Sequence, residues 1–414
     1  MSEAATIETY FRPEIDFAYD PLPNLPELLQ EMAETGQSVV RVRYQGGDAW
    51  AVVGYDNVSS VFRNEAEIPA GPHYRVVMSA IGRTIETMEG AEQRAYKTVM
   101  SRWFSPKNVG AMKDAVILPI IDELIDDFGE RRAVDLNPTF SRRLGFNVIS
   151  RLVGVDVAPE AEAEVHKIVE GMNQMLDPHV PPEENEHNAL KAVARADAML
   201  LPVVEARRAQ PRDDFISYLV QAEVEGRPLT DEEILSHARL IYLAGADSTG
   251  LMLDNAMAAI LARPDLLQRM LADRSIRDAV VDEMIRLESA SGLVVRRAIN
   301  DVEIDGVTVP AGAYILMAVP NANRDAARFP SPEEVRVDRR GADLSLSFGA
   351  GPHLCLGKHL AKMEVQLAVD RLLDRLPGLR LDGPEKRPTG SQFRFIAGGL
   401  PVRFDDVLTA PVLA

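Results

Sequence analysis

Ten residues of this 414-residue chain restrict its fold more than any others: Phe348-Gly349-Ala350-Gly351-Pro352-His353-Leu354-Cys355-Leu356-Gly357. They hold the only cysteine, inside a glycine-rich turn that leads into a helix. From Leu356 onward, Leu360, Met363, Val365, Leu367, Ala368, Leu372 and Leu373 recur at near-helical spacing, which predicts a helix over 356–374. Cys355 then sits just ahead of a helix N-terminus. Unpaired backbone N–H groups and the helix dipole at that position favour a thiolate over a thiol. Gly351 and Gly357 let the backbone turn tightly and approach a large flat body without Cβ clashes.

A second unusual stretch lies upstream. Thr230-Asp231-Glu232-Glu233 is a capping box, and the helix it starts is predicted to run to about Ala262. Its middle reads Ala244-Gly245-Ala246-Asp247-Ser248-Thr249-Gly250. Glycine inside a helix costs roughly 1 kcal/mol relative to alanine. Asp and Ser there compete with the backbone for hydrogen bonds. Several broken local rules in one turn mark a functional site, at which the small residues Ala244 and Gly245 let another body come close. A small-residue packing face with an exposed Asp is the simpler alternative. Further on, Glu283 and Arg286 stand one turn apart on one helix face, which alone reads as an ordinary surface pair.

The Phe348–Gly357 stretch resembles, at every fixed position, the haem-ligand loop Phe-x-x-Gly-x-x-x-Cys-x-Gly of the cytochrome P-450 superfamily. The resemblance runs from roughly residue 89 to the C-terminus. It implies a mainly α fold with a small β-rich lobe and haem b held between a distal helix (230–262) and a proximal helix (356–374). Cys355 would be the metal ligand, its thiolate pushing electron density toward O–O cleavage. Phe348, Gly349, Gly351 and Gly357 would shape the cofactor loop, with Ala244 and Gly245 on the opposite side. Asp247 matches the family's distal acid. Ser248 stands where the family usually has Thr, with Thr249 beside it, and it keeps the hydroxyl's donor and acceptor set. Glu283 and Arg286 resemble the family's Glu-x-x-Arg motif, with Arg339 as third partner in a structural lock on the segment before Cys355. Arg296 and His353 match donors to the haem propionates. Gln93 and Lys97 replace the usual His and Arg of an early helix in the same role.

The family pattern also implies a substrate cavity built from Val76, Val77 and Met78, from Met172 and Met175, and from Leu240, Leu243 and Ala244. Leu293, Val294, Val295 and Phe395 complete it. Nearly all are apolar, so a hydrophobic small molecule is the expected substrate. The implied reaction is a monooxygenation, a hydroxylation or O-dealkylation that uses O2. No dinucleotide or flavin fingerprint is present, so NAD(P)H-derived electrons are expected through a separate ferredoxin and ferredoxin reductase. Arg94, Arg102, Lys107, Lys113, Lys358 and Lys362 would supply a local basic patch for that partner. A peroxygenase using H2O2 would replace the acid–alcohol pair by Arg-Pro. A haem sensor or electron carrier would need neither that pair nor a cavity.

Composition bounds the rest. A net charge of −18 argues against nucleic acid or an anionic membrane as a general partner. No run of 18 apolar residues is present, and Met1–Glu8 lacks a leader pattern, so no membrane anchor and a cytoplasmic location are expected. A single cysteine allows no internal disulfide. The seven histidines form no metal-spaced cluster, so no metal beyond haem iron is expected. We see no repeat and no dividing linker. The chain reads as one domain over 1–414, with the β-rich lobe from about 38–63 and 294–316.

Overall fold

The computed structural model describes residues 9–410, except 175, 176, 178 and 340. Gln45 and Gly46 both take positive φ (54° and 73°), the primed-turn geometry that matches strand twist, and they close a hairpin between Val39–Tyr44 and Gly47–Val52. The sheet is completed from far along the chain. Tyr314–Ala318 runs parallel to Gly47–Val52 and antiparallel to Leu293–Arg297. The helix before this hairpin, Leu25–Glu34, begins without a side-chain cap: Asn24 accepts no hydrogen bond through its side chain, and Glu27 turns outward to Arg387 at 2.9 Å. Pro26 in the first turn removes one of the orphan N–H groups that a cap would serve.

No pair of strands forms around Gly398-Gly399. Lys386 Nζ donates to the carbonyls of Ala397, Gly398 and Gly399 at 3.3, 3.0 and 2.8 Å, which wraps this segment around an ammonium. Only Pro401–Arg403 becomes a strand, and it joins Arg380–Leu381 and Ala133–Asp135.

The capping box is present: Thr230 Oγ1 accepts from Glu233 N (3.3 Å) and Glu233 Oε2 accepts from Thr230 N (2.8 Å). The distal helix does not run unbroken, however. It forms as Asp231–Ala246 and Ser248–Leu261, interrupted at Asp247 (φ −101°, ψ −39°). Ser248 Oγ donates to the Ala244 carbonyl at 2.6 Å, the back-bonding that bends helices. Across this break packs the helix Arg142–Val153. A Cβ on Gly145 would lie 2.7 Å from the Ala246 carbonyl, one on Gly245 would meet Ile149 at 2.4 Å, and one on Gly250 would meet the Ser141 carbonyl at 2.9 Å. The glycines therefore serve the helix crossing. This corrects the expectation for Gly245, which faces Ile149. Ala244 is the small residue that stays exposed, with Ser248 part-exposed one turn on.

The proximal helix spans Lys358–Arg375, with Gly357 at its N-cap. The segment before Cys355 is tied to the helix Arg277–Leu287 by a buried charge cluster. Arg286 Nε and Nη2 donate to the two oxygens of Glu283 at 2.8 and 2.9 Å, and Arg339 Nε donates to both at 3.0 and 2.9 Å. The Arg336 N–H adds a fifth bond at 3.1 Å. Arg286 Nη1 then donates to the carbonyls of Asn323 and Pro332. Asn323 in turn receives the Leu346 N–H at 2.7 Å and donates to Ser347 Oγ at 2.9 Å, next to Phe348. Burial would raise the Glu283 pKa, but Arg286, the Arg336 N–H and Arg339 outweigh it and hold the carboxyl below its usual range.

Two predictions follow from this packing. Removing one member of a buried pair strands the other charge, so Glu283→Ala should cost roughly 3–5 kcal/mol in denaturant unfolding. A loss within the range of ordinary surface substitutions would contradict the network's role. Asp254, on the second half of the distal helix, accepts from Asn137 Nδ2 at 2.6 Å and is pushed up to about 6, chiefly by burial. The folded state then binds its proton more tightly than the unfolded chain, so this residue makes stability fall as pH rises from about 4 to about 6, by up to roughly 3 kcal/mol. Asp254→Asn should raise the melting temperature at pH 8 more than at pH 4; equal gains at both would count against it.

Candidate functional site

The loop ahead of the proximal helix is closed on itself. The Cys355 N–H donates to the Phe348 carbonyl at 2.9 Å, and Leu354 N donates to Gly351 O at 3.1 Å. Gly349 and Gly351 both sit at φ 71°, and a Cβ on Gly351 would come within 2.8 Å of the Phe62 carbonyl. Gly357 differs: its φ is −83°, and a Cβ there would meet no protein atom within 4 Å. Cys355 is exposed. Burial pushes the thiol pKa up, opposed by the Gly357 N–H, Lys97 and Lys358 and reinforced by the Glu86 carboxylate. Burial thus opposes the Gly357 N–H, which favours the thiolate.

The cationic residues expected around a haem edge gather beside this loop. Gln93 Nε2 donates to Pro352 O at 3.0 Å, and Lys97 Nζ donates to Pro352 O and to Leu354 O (2.6 Å). Both thus hold the carbonyls of the cysteine loop itself. Arg296 is buried, and among the described residues its Nη1 alone has partners, Glu65 Oε1 (2.8 Å) and Ile68 O (2.9 Å). Its remaining guanidinium edge is left for another acceptor. His353 lies between Glu65 and Glu86, whose charges outweigh burial and raise its pKa above the ordinary imidazole value. The two glutamates carry no sequence motif, and sequence reasoning missed them.

On the distal side, Asp247 and Ser248 point apart. Arg142 Nε donates to Asp247 Oδ1 at 3.4 Å and Asn173 Nδ2 to Oδ2 at 3.2 Å, with Arg142 also paired to Glu170. Asp247 lines a polar groove with Lys167, Glu170, Asn173 and Asp177. Ser248 lies on the same face as the exposed Ala244, whereas Thr249 is buried. Arg142, Asn173 and Glu170 come from two other helices and had no signal in the sequence.

The apolar set divides. Val76 is 63% exposed, Phe395 is 42% exposed, and Met78, Met172, Leu240 and Leu243 are buried in the helical core, with Val77 packed against it. Met175 lies outside the described residues. Strand alternation separates the neighbours of Val294 from it: Leu293 and Val295 pack with Phe17, Leu25, Val40 and Leu316 in the N-terminal core, so the expectation that all three line one cavity fails. Val294 packs on the opposite face of the strand, with Phe62 and Met317.

The residues present fit a haem. An exposed thiol precedes a helix, a glycine beside it has room around its absent side chain, an alanine in mid-helix is bare, and a buried arginine keeps a free edge. Comparison with known proteins agrees. A family model described as Cytochrome P450 matches residues 19–390. "Putative cytochrome P450 133B2" of Xylella fastidiosa is 38% identical over 259 residues, 62% of this chain and 64% of that protein, so the match spans just under two thirds of that relative. "Cytochrome P450 monooxygenase PikC" of Streptomyces venezuelae is 32% identical across 89% of this chain and 86% of its own. The solved structure of cytochrome P450 CYP109Q5 from Chondromyces apiculatus superposes with a TM-score of 0.84 at 28% identity, covering 96% of this chain and 99% of that one. With the cysteine loop, the buried Glu283 cluster and these matches in agreement, the chain belongs to the cytochrome P450 family.

Proposed function

We propose that this protein is a haem-thiolate monooxygenase, inserting one atom of O2 into a hydrophobic small molecule. The observation that carries the reading is the closed loop that presents Cys355 at the head of the proximal helix. Cys355 would hold the iron of haem b, with Arg296 and His353 at its carboxylates. When bound, the haem supplies the oxygen chemistry, and the protein supplies the thiolate, the proton path and the exclusion of water. A thiol whose pKa is raised in the protein alone gives up its proton on binding the metal.

Asp247 stands at the junction between the polar groove and the interior, where it can relay a proton. Its contacts with Arg142 and Asn173 hold it toward the groove. Ser248 Oγ, now bonded to Ala244 O, is the donor on the inner face. This acid–alcohol pair favours O2 over H2O2 as oxidant and favours an enzyme over a sensor or carrier. Val76, Val77, Met78, Met172, Leu240, Leu243, Val294 and Phe395 remain as the apolar lining, consistent with a hydrophobic substrate. The early-helix donors Gln93 and Lys97 act on the cysteine loop through its carbonyls. Glu283, Arg286 and Arg339 lock the preceding segment and take no part in the chemistry.

Electrons would arrive from a small acidic ferredoxin served by its reductase. Arg94, Arg102, Lys107 and Lys113 are exposed on the helices beside the cysteine loop, a local positive surface on a chain of net charge −18. Lys362 is spent on Asp282 at 2.8 Å and contributes little to it. No helix among the described residues is long and apolar enough to cross a membrane. We read the enzyme as cytoplasmic.

The first test is the reduced carbon-monoxide difference spectrum. A strongly red-shifted Soret band, lost in Cys355→Ser, is expected. A band at the position of imidazole ligation, or no haem spectrum, would refute the reading. Ser248 lacks the methyl that restricts threonine's χ1, so its hydroxyl is less firmly aimed. Ser248→Thr should lower the ratio of hydrogen peroxide to product severalfold, measured against NAD(P)H consumed; an unchanged ratio would remove Ser248 from the proton path.

A further inference from the structure

In this chain the two donors assigned to the haem carboxylates already face a carboxylate. Glu65 Oε1 accepts from Arg296 Nη1 at 2.8 Å, and Glu65 Oε2 lies 3.5 Å from His353 Nε2. On the other face of the imidazole, Glu86 Oε2 stands 3.3 Å from His353 Nδ1. The cluster is inside the protein: Arg296 is 2% exposed and His353 and Glu65 side chains 5% and 20%. Lys97 adjoins the same group and feels the charges of Glu86 and Glu65. Arg296, Lys97 and the His353 ring thus already face two carboxylates before any haem arrives.

We propose that Glu65, supported by Glu86, is a built-in competitor for the haem carboxylates and so sets how tightly this protein retains haem. The inference rests on the haem reading above. Two haem carboxylates brought to Arg296 and His353 would share those cations with Glu65 and be repelled by it. In a partly buried site such repulsion is weakly screened by salt. Nothing in the resemblance required an acid here; the family's donors are a set of cations. A glutamine at position 65 would keep the hydrogen bond from Arg296 while removing the charge, so it separates competition from mere support of the arginine.

The test is haem transfer from the loaded protein to excess apomyoglobin, followed by absorbance, for the unaltered protein, Glu65→Gln, Glu65→Ala and Glu86→Gln. Competition predicts that Glu65→Gln releases haem roughly three- to ten-fold more slowly, with a smaller slowing in Glu86→Gln. Loss from Glu65→Gln at the unaltered rate, or faster, overturns the proposal. So does wild-type-like loss from Glu65→Gln together with fast loss from Glu65→Ala, which would make Glu65 a support for Arg296. If Glu65→Gln does not fold, the rate from Glu86→Gln decides: slower supports, unchanged or faster overturns. Failure of the unaltered protein to take up haem at all would refute the haem reading itself, whereas normal uptake with unchanged rates would sink only the role of Glu65.

Discussion

The carboxylate of Glu283 is fully buried, and the geometry of the cysteine loop depends on it. A lone ion at that depth would be strongly disfavoured. Here it is tolerable because two guanidinium groups and a backbone N–H close around both oxygens. A buried ion pair is not in itself a sign of stability. Its effect is positional: Arg286 has donors left over, and they fix the Asn323 and Pro332 carbonyls. Asn323 passes the constraint to Leu346 and Ser347, and the next residue is Phe348, whose carbonyl takes the Cys355 N–H. Asn323, Pro332, Leu346 and Ser347 are thereby tied together on the approach to the thiol.

On the opposite side the constraint is steric. Gly145, Gly245 and Gly250 let two helices meet at backbone distance, where any side chain would collide. That contact fixes the rotation of the distal helix. With Gly245 turned to Ile149, Ala244 and Ser248 must face away from the crossing, and Asp247 falls at the break between them. The seven-residue stretch thus answers to two demands, close packing on one face and polar chemistry on the other. The packing and functional explanations of its small residues are both needed, for different residues.

Charge is arranged locally against the chain's overall balance. The chain carries a net charge of −18, yet basic residues collect near the cysteine loop: Lys97 on its carbonyls, Arg296 and His353 beside it, and an exposed set on the neighbouring helices. Glu65 and Glu86 temper the inner group. His353 and Arg296 lower the Glu65 pKa and the two glutamates raise that of His353, so no single residue there can be described without the rest.

Much of this architecture could be read directly from residue order. The cysteine turn, the capping box and the Glu283–Arg286 spacing are local patterns, set by backbone sterics and by which side chains recur on one face. The family resemblance rests on those short motifs and extended them to Arg296, His353 and Arg339. Contacts between distant segments were beyond such reading. Asn323 meeting Ser347, Arg142 meeting Asp247, Glu65 bridging Arg296 and His353, and Leu293 turning into the N-terminal core depend on helix crossings and strand register. Those are decided by the packing of the whole chain. The raised pKa of Cys355 has the same origin: a helix N-terminus can be read from sequence, but desolvation is a property of everything folded around it.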